Sequence, residues 1–216
     1  MIEMKTYIKA LILFILTFTI GVMVRYYSQS LTAEPFIDII FKSFLAVVFI
    51  LFIYLFGKDK WPFFQSIKWK PHYWNLLFFI IVLFGMNNYF QVIYSENQYY
   101  PETIKAALGS YIISYIVSST SEEIIFRGFI QSLINENTVV NSSVISKGNL
   151  FATILFFMIH LGFFTVMDTF FAITSLVNVI IFSLIAGYLF DRTKNIFVPV
   201  LIHILINMLH IFIQVK

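Results

Sequence analysis

The sequence predicts an all-α membrane protein, a polytopic bundle of about seven transmembrane helices, and three features predict it. Hydrophobic residues make up 60% of the chain and its mean hydropathy is +0.88, which would leave more apolar surface in water than a soluble domain can hide. The apolar residues fall into runs of about 20, the length a helix needs to cross the hydrocarbon of a bilayer. Lysine and arginine gather in the short segments on one side of those runs, the asymmetry that orients membrane proteins.

Taken in order, the first run, about 8–24, stands behind Lys5 and Lys9 like the start of a signal peptide. No small-residue cleavage site follows Val24, so it reads as a retained helix. The second and third runs, about 36–56 and 74–94, are predominantly apolar and flank the loop 57–73, which holds Lys58, Lys60, Lys68 and Lys70. Trp61, Trp69, Trp74 and the tyrosines Tyr26, Tyr27, Tyr99 and Tyr100 stand near run ends, where interfacial aromatics sit. The fourth run, about 103–134, is overlong and carries the stretch SEEIIFRGF near its end. The fifth, about 149–166, is short; the sixth and seventh cover about 170–190 and 196–214. Without an internal repeat, a low-complexity tract or a shift in composition, residues 1–216 read as a single integral-membrane domain.

Short-loop charge sets the orientation. Lys5 and Lys9, the lysines of loop 57–73, Lys147, and Arg192 with Lys194 all fall on one side, which is expected to be cytoplasmic. The other side mixes Arg25, Lys105 and Lys216 with Glu34, Glu96, Glu102 and Asp168, so the N-terminus is expected inside and the C-terminus outside. A pI of 9.0 would suit nucleic acid, but only 12% of residues are charged and no basic patch forms. Cysteine is absent, which excludes disulfides, Cys-ligated metals and a thiol nucleophile.

Ionised side chains inside a membrane helix cost about 2.5–3.5 kcal/mol each at its centre, so Glu122, Glu123 and Arg127 demand partners. At ~100° per residue Glu123 and Arg127 share a helix face and can pair, while Glu122 is turned elsewhere. The other polar candidates are His160, and His203 with Asn207, four apart on the seventh run. At ~1.5 Å per residue from the predicted cytoplasmic ends, Glu122 lies ~18 Å deep, His160 ~16 Å, His203 ~10 Å and Asn207 ~16 Å, with His210 nearer the outer surface at ~21 Å. A single buried histidine or asparagine is ordinarily interhelical glue; several converging at one depth indicate a functional site. Phe156 reads as packing, and Ser118, Ser119, Thr120 and Ser121 as a close helix contact rather than a serine nucleophile. Water and substrate are expected to enter from the cytoplasmic side.

Glu122-Glu123-x-x-x-Arg127, Phe156-x-x-x-His160 and His203-x-x-x-Asn207, in this order and on successive runs, resemble the three-motif signature of the CAAX protease and bacteriocin-processing membrane family, also called Abi or type II CAAX prenyl endopeptidase-like proteins. The resemblance covers about residues 103–214. It implies an intramembrane endopeptidase without a metal or other cofactor. Glu122 would be the general base, His160 its water-positioning partner, and His203 and Asn207 the oxyanion donors, with Glu123 and Arg127 as structural support. The implied partners are the bilayer and a membrane-embedded or lipidated peptide, such as a bacteriocin or pheromone precursor. A short chain without long loops resembles the bacterial members, placing it in the cytoplasmic membrane. Three other readings stand beside this one. Glu122, His160 and His203 would also make a zinc triad; the chain could act without proteolysis, as an immunity or scaffold protein; and a proton-coupled transporter would also use intramembrane Glu and His, though with repeat symmetry that this sequence lacks.

Overall fold

The structure is a computed structural model that describes residues 8–9, 11–12, 15–16, 19, 34–56, 66–67, 69–94, 108–136, 144–165 and 167–214. Among them there is no β-strand, as the all-α expectation requires. Most of the expected first span lies outside the described residues, as do Lys5, Lys58, Lys60, Lys68, Trp61 and the four tyrosines named above.

Helix α1 covers Glu34–Phe56 and α2 Pro71–Tyr94. Helix α3, Leu108–Glu123, runs on through a π-helical stretch, Ile124–Gln131, into the short α4, Ser132–Glu136. After α5, Lys147–His160, comes a 3-10 turn, Leu161–Thr165, then α6, Thr169–Thr193, and α7, Phe197–Gln214. Local chemistry explains the boundaries. Ser146 and Asp168 cap α5 and α6 by accepting the backbone N–H of Asn149 and Phe171. Lys194 ends α6 in the left-handed region (φ 51°), and Asn195 then accepts the N–H of Phe197 to start α7. Pro199 falls in the first turn of α7, where the N–H it lacks would have no helical partner.

About seven spans were expected from run length. Among the described residues three segments are long and apolar enough to cross a membrane, Pro71–Tyr94, Lys147–Thr165 and Thr169–Thr193, while the apolar parts of α1 and α7, Ile39–Leu51 and Phe197–Ile213, are shorter. The helix 108–136 falls short because hydroxyls and the charges of Glu122, Glu123 and Arg127 interrupt it.

The bundle exposes apolar side chains on its outside and encloses a row of polar ones within a hydrophobic core. On α1, Ile40, Phe44, Val47 and Leu51 repeat at helical spacing and are exposed, while Leu45, Ala46 and Phe49 face inward, Phe49 edge-on to Phe129 at 5.4 Å. Glu123, Arg127, Gln131, Asn149 and Ser183 are wholly buried. Helix α7 packs against α2, α3 and α6; α1 lies against α3, and α5 against α6 and the π stretch. At one end Asn135 donates to Asp191 (2.9 Å), the N–H of Gly148 to Asn135 (3.0 Å), and the rings of Tyr73 and Tyr188 meet at 6.4 Å. Lys70, Lys147, Arg192 and Lys194 adjoin these residues in sequence, so this is the basic end. At the other end Gln91 of α2 donates to Ser175 of α6 (2.8 Å).

Candidate active site

The site forms where α3 passes into the π stretch. Upstream of that junction the hydroxyls are mostly spent on their own helix: Ser119 donates to the Tyr115 carbonyl, Thr120 to that of Ile116 and Ser121 to that of Ser118. Ser118 differs. It donates to Glu122 Oε1 at 2.6 Å and accepts from Lys42 Nζ of α1 at 2.8 Å.

Downstream, the wider i→i+5 turns of the π stretch keep Arg127 and Gln131 in one row beyond Glu123, facing a matching row on α6. Arg127 Nη2 donates to Ser183 Oγ (2.6 Å), and Gln131 Nε2 to the Gly187 carbonyl (2.9 Å). A Cβ at Gly187 would collide with Asn149 and Gln131, so this approach needs glycine. Ser132 caps the distortion by donating to the Arg127 carbonyl.

The two glutamates separate as helix geometry predicts. Glu123 is fully buried between two cationic or protonated partners, Arg127 Nε (3.1 Å) and His203 Nδ1 (2.9 Å). Glu122 points away from Arg127 and is part-exposed to a cavity of ≈ 200 Å³, room for several waters. Its Oε2 lies 3.9 Å from His203 Nε2. His160 and Asn207 line the same cavity, so all four residues expected to act on substrate come together. The Nδ1–H of His160 donates to the Phe156 carbonyl (2.8 Å), which assigns a lone pair to Nε2 on the neutral ring. Asn207 Nδ2 donates to Ser119 Oγ (2.8 Å), leaving its second N–H for another acceptor. Phe156 packs as expected: its ring is 4.5 Å from that of His160, 5.9 Å from that of His203 and 5.7 Å from the Arg127 guanidinium.

Two expectations need correction. Access was expected from the basic, cytoplasmic end, but Arg127, Gln131, Ile130 and Asn149 fill the bundle there to complete burial or nearly so. The cavity instead extends from Glu122 toward the opposite end, where Asn87, Asn88 and Gln91 of late α2, Tyr115 of mid-α3 and Ser175 of early α6 line it. Counting depth along single helices locates a layer and cannot tell which side of it is empty. For the same reason His210 is not apart from the site: it lines this cavity and meets Asn88 Oδ1 at 2.9 Å.

Sequence reasoning also missed Lys42. Its signal was a solitary lysine inside an apolar run, three, four and seven residues before Leu45, Ala46 and Phe49 and thus on their inward face. Among the described residues no group of three or more His, Asp or Glu side chains is arranged to hold a metal ion.

Comparison with curated proteins and with solved structures gives no match. A family model does match: the one described as type II CAAX prenyl endopeptidase Rce1-like covers residues 103–209. All three polar motifs and every carboxylate and imidazole around Glu122 fall within that match except His210. A membrane protease requires an apolar exterior around a polar pocket, and this bundle has exposed apolar side chains around a cavity lined in part by polar ones. The chain therefore belongs to the type II CAAX prenyl endopeptidase Rce1-like family of membrane proteases.

Proposed function

We propose that the protein is a glutamate-type intramembrane endopeptidase that cleaves a membrane-embedded peptide with a water activated by Glu122 and His160, without a metal. One observation carries this reading: a carboxylate held by Ser118 rather than by Arg127 shares a cavity with room for water with His160, whose Nδ1 is already committed to the backbone. His160 Nε2 accepts a hydrogen bond from the water and orients it, and Glu122 takes its other proton as the oxygen attacks the scissile carbonyl. The oxyanion receives the second N–H of Asn207 and, when both ring nitrogens are protonated, the Nε2–H of His203. Glu122 then returns its proton to the leaving amine as the C–N bond breaks, giving a carboxylic acid and an amine. Glu123 and Arg127 touch neither water nor substrate; they fix His203 and the helix that bears Glu122.

The single domain 1–216 is placed in a bacterial cytoplasmic membrane with about seven spans and the N-terminus inside, residues 103–214 forming the catalytic core. Substrate then reaches the site from the outer side, through the half of the cavity lined by late α2. Purified protein in liposomes is expected to cut membrane-inserted peptides, to lose that activity on Glu122→Gln, and to keep it after prolonged chelation. Activity lost to a chelator and restored by one equivalent of zinc would overturn the metal-free mechanism and make Glu122, His160 and His203 ligands. Specific partner binding without cleavage by the wild type would favour an immunity or scaffold role instead.

A further inference from the structure

The cavity continues past the catalytic layer into a second polar cluster that the hydrolytic chemistry does not use. Helix α2 is lipid-exposed over much of its surface, yet it turns Asn87, Asn88 and Gln91 toward the cavity. Polar side chains inside a membrane helix are costly unless they find partners. Gln91 is satisfied by Ser175 at 2.8 Å. Asn88 is only half satisfied: it is 5% exposed, its Oδ1 takes the Nδ1–H of His210 at 2.9 Å, and its Nδ2 has no hydrogen-bond partner among the described residues. With its Oδ1 turned to His210, the amide leaves Nδ2, a donor, as the unpartnered atom. Asn88 lines the cavity, and a ligand there that brings an acceptor would match this buried donor once the amide turns toward it.

We propose that this outer half of the cavity is a peptide-backbone subsite, in which Asn88 Nδ2 donates to an amide carbonyl of an extended, unprenylated polypeptide about three residues from the scissile bond. The register rests on the hydrolytic reading of Glu122. His210 follows His203 by seven residues, ~10 Å along α7 at 1.5 Å per residue, and an extended chain covers that distance in about three residues at ~3.3 Å each. The chemistry selects the class of ligand. An isoprenoid tail offers no acceptor to Asn88 and would bury the amides of Asn87 and Gln91 against hydrocarbon, whereas a polypeptide presents a carbonyl at every step.

The test uses the full chain in detergent and two pools of randomised decapeptides, one plain and one ending in a farnesylated cysteine. Glu122→Gln protein is expected to retain from the plain pool the same peptides that the wild type cuts. Adding Asn88→Leu, or Asn88→Asp, which keeps an acceptor for His210 and removes the donor, lowers that retention about tenfold with the melting temperature unchanged for at least one of the two. Replacing single amides by esters in a retained peptide weakens binding most where the carbonyl lies three residues from the cut, and that penalty vanishes when Asn88 is substituted. Retention indifferent to both Asn88 variants, an ester penalty at no position or a different one, or retention of the farnesylated pool alone would each overturn the subsite. Asn88-dependent retention by a wild type that cuts nothing would leave the subsite standing and remove the hydrolytic reading instead.

Discussion

Glu122 and Glu123 are adjacent in sequence and differ entirely in surroundings, which makes them the sharpest test at the residue scale. Glu123→Gln leaves Arg127 buried with Ser183 as its remaining neutral partner and takes the carboxylate from His203. Breaking a buried ion pair from one side typically costs about 3–5 kcal/mol, so this variant is expected to melt well below the wild type in detergent. Glu122→Gln faces the cavity, keeps an acceptor for Ser118, and is expected to melt near the wild type while losing activity. A reversed order of melting temperatures would exchange the roles of the two residues. On the proposed mechanism, Lys42 and Ser118 act through Glu122, as positioning residues. Ser118→Ala and Lys42→Met are each expected to lower kcat about tenfold, the loss of one hydrogen bond to a charged group, with KM unchanged and Lys42→Arg recovering part of the loss. Complete inactivity of Ser118→Ala in a folded protein would revive a serine nucleophile. The division between the glutamates was legible in the sequence because a four-residue spacing puts two side chains on one helix face. The inward face of Lys42 was legible in the same way, but its partner was not, because its relation to Ser118 is made by the packing of α1 on α3, which no spacing within one run encodes.

At the scale of elements, the π stretch is what periodicity could not supply. An apolar run read at ~100° per residue gives a helix and a face, and the pair Glu123–Arg127 survives that reading because it begins at the last α-helical residue. Beyond it the i→i+5 pattern re-aims Gln131 at Gly187, a contact that depends on α6 presenting bare backbone there. The extra Cβ in Gly187→Ala would press on the Asn149 amide, which is itself held by the Leu184 carbonyl. Overpacking of this kind costs about 1–3 kcal/mol, and the displaced row is the one that carries Arg127. The variant is expected to lose both melting temperature and kcat, although Gly187 is not among the residues around the cavity. Loss of neither would mean that the π stretch does not depend on close contact with α6.

At the scale of the molecule, the question is which end of the bundle the substrate uses. The chain's charge pattern separates a basic end, at Lys70, Lys147, Arg192 and Lys194, from an end without such a cluster, and the topology proposed above puts the first of these in the cytoplasm, from the lysine and arginine bias of short loops. The same basic end is closed below the layer of Glu122 by the buried row Glu123, Arg127 and Gln131, whereas the cavity continues past His203 to His210 and late α2. Hydrated polar surface within a bilayer persists only where protein lines it, so on the proposed function Asn87 and Gln91, which line the cavity, mark the route for water and substrate. A chain with no native cysteine makes the route measurable. Asn87→Cys and Lys194→Cys, introduced one at a time into sealed vesicles, are expected to react with a membrane-impermeant maleimide from opposite faces, Lys194→Cys from the cytoplasmic one. Labelling of both from the same face would show that the cavity reaches solvent through the basic end. Opposite faces with Lys194→Cys outside would keep the cavity as described and invert the protein in the membrane.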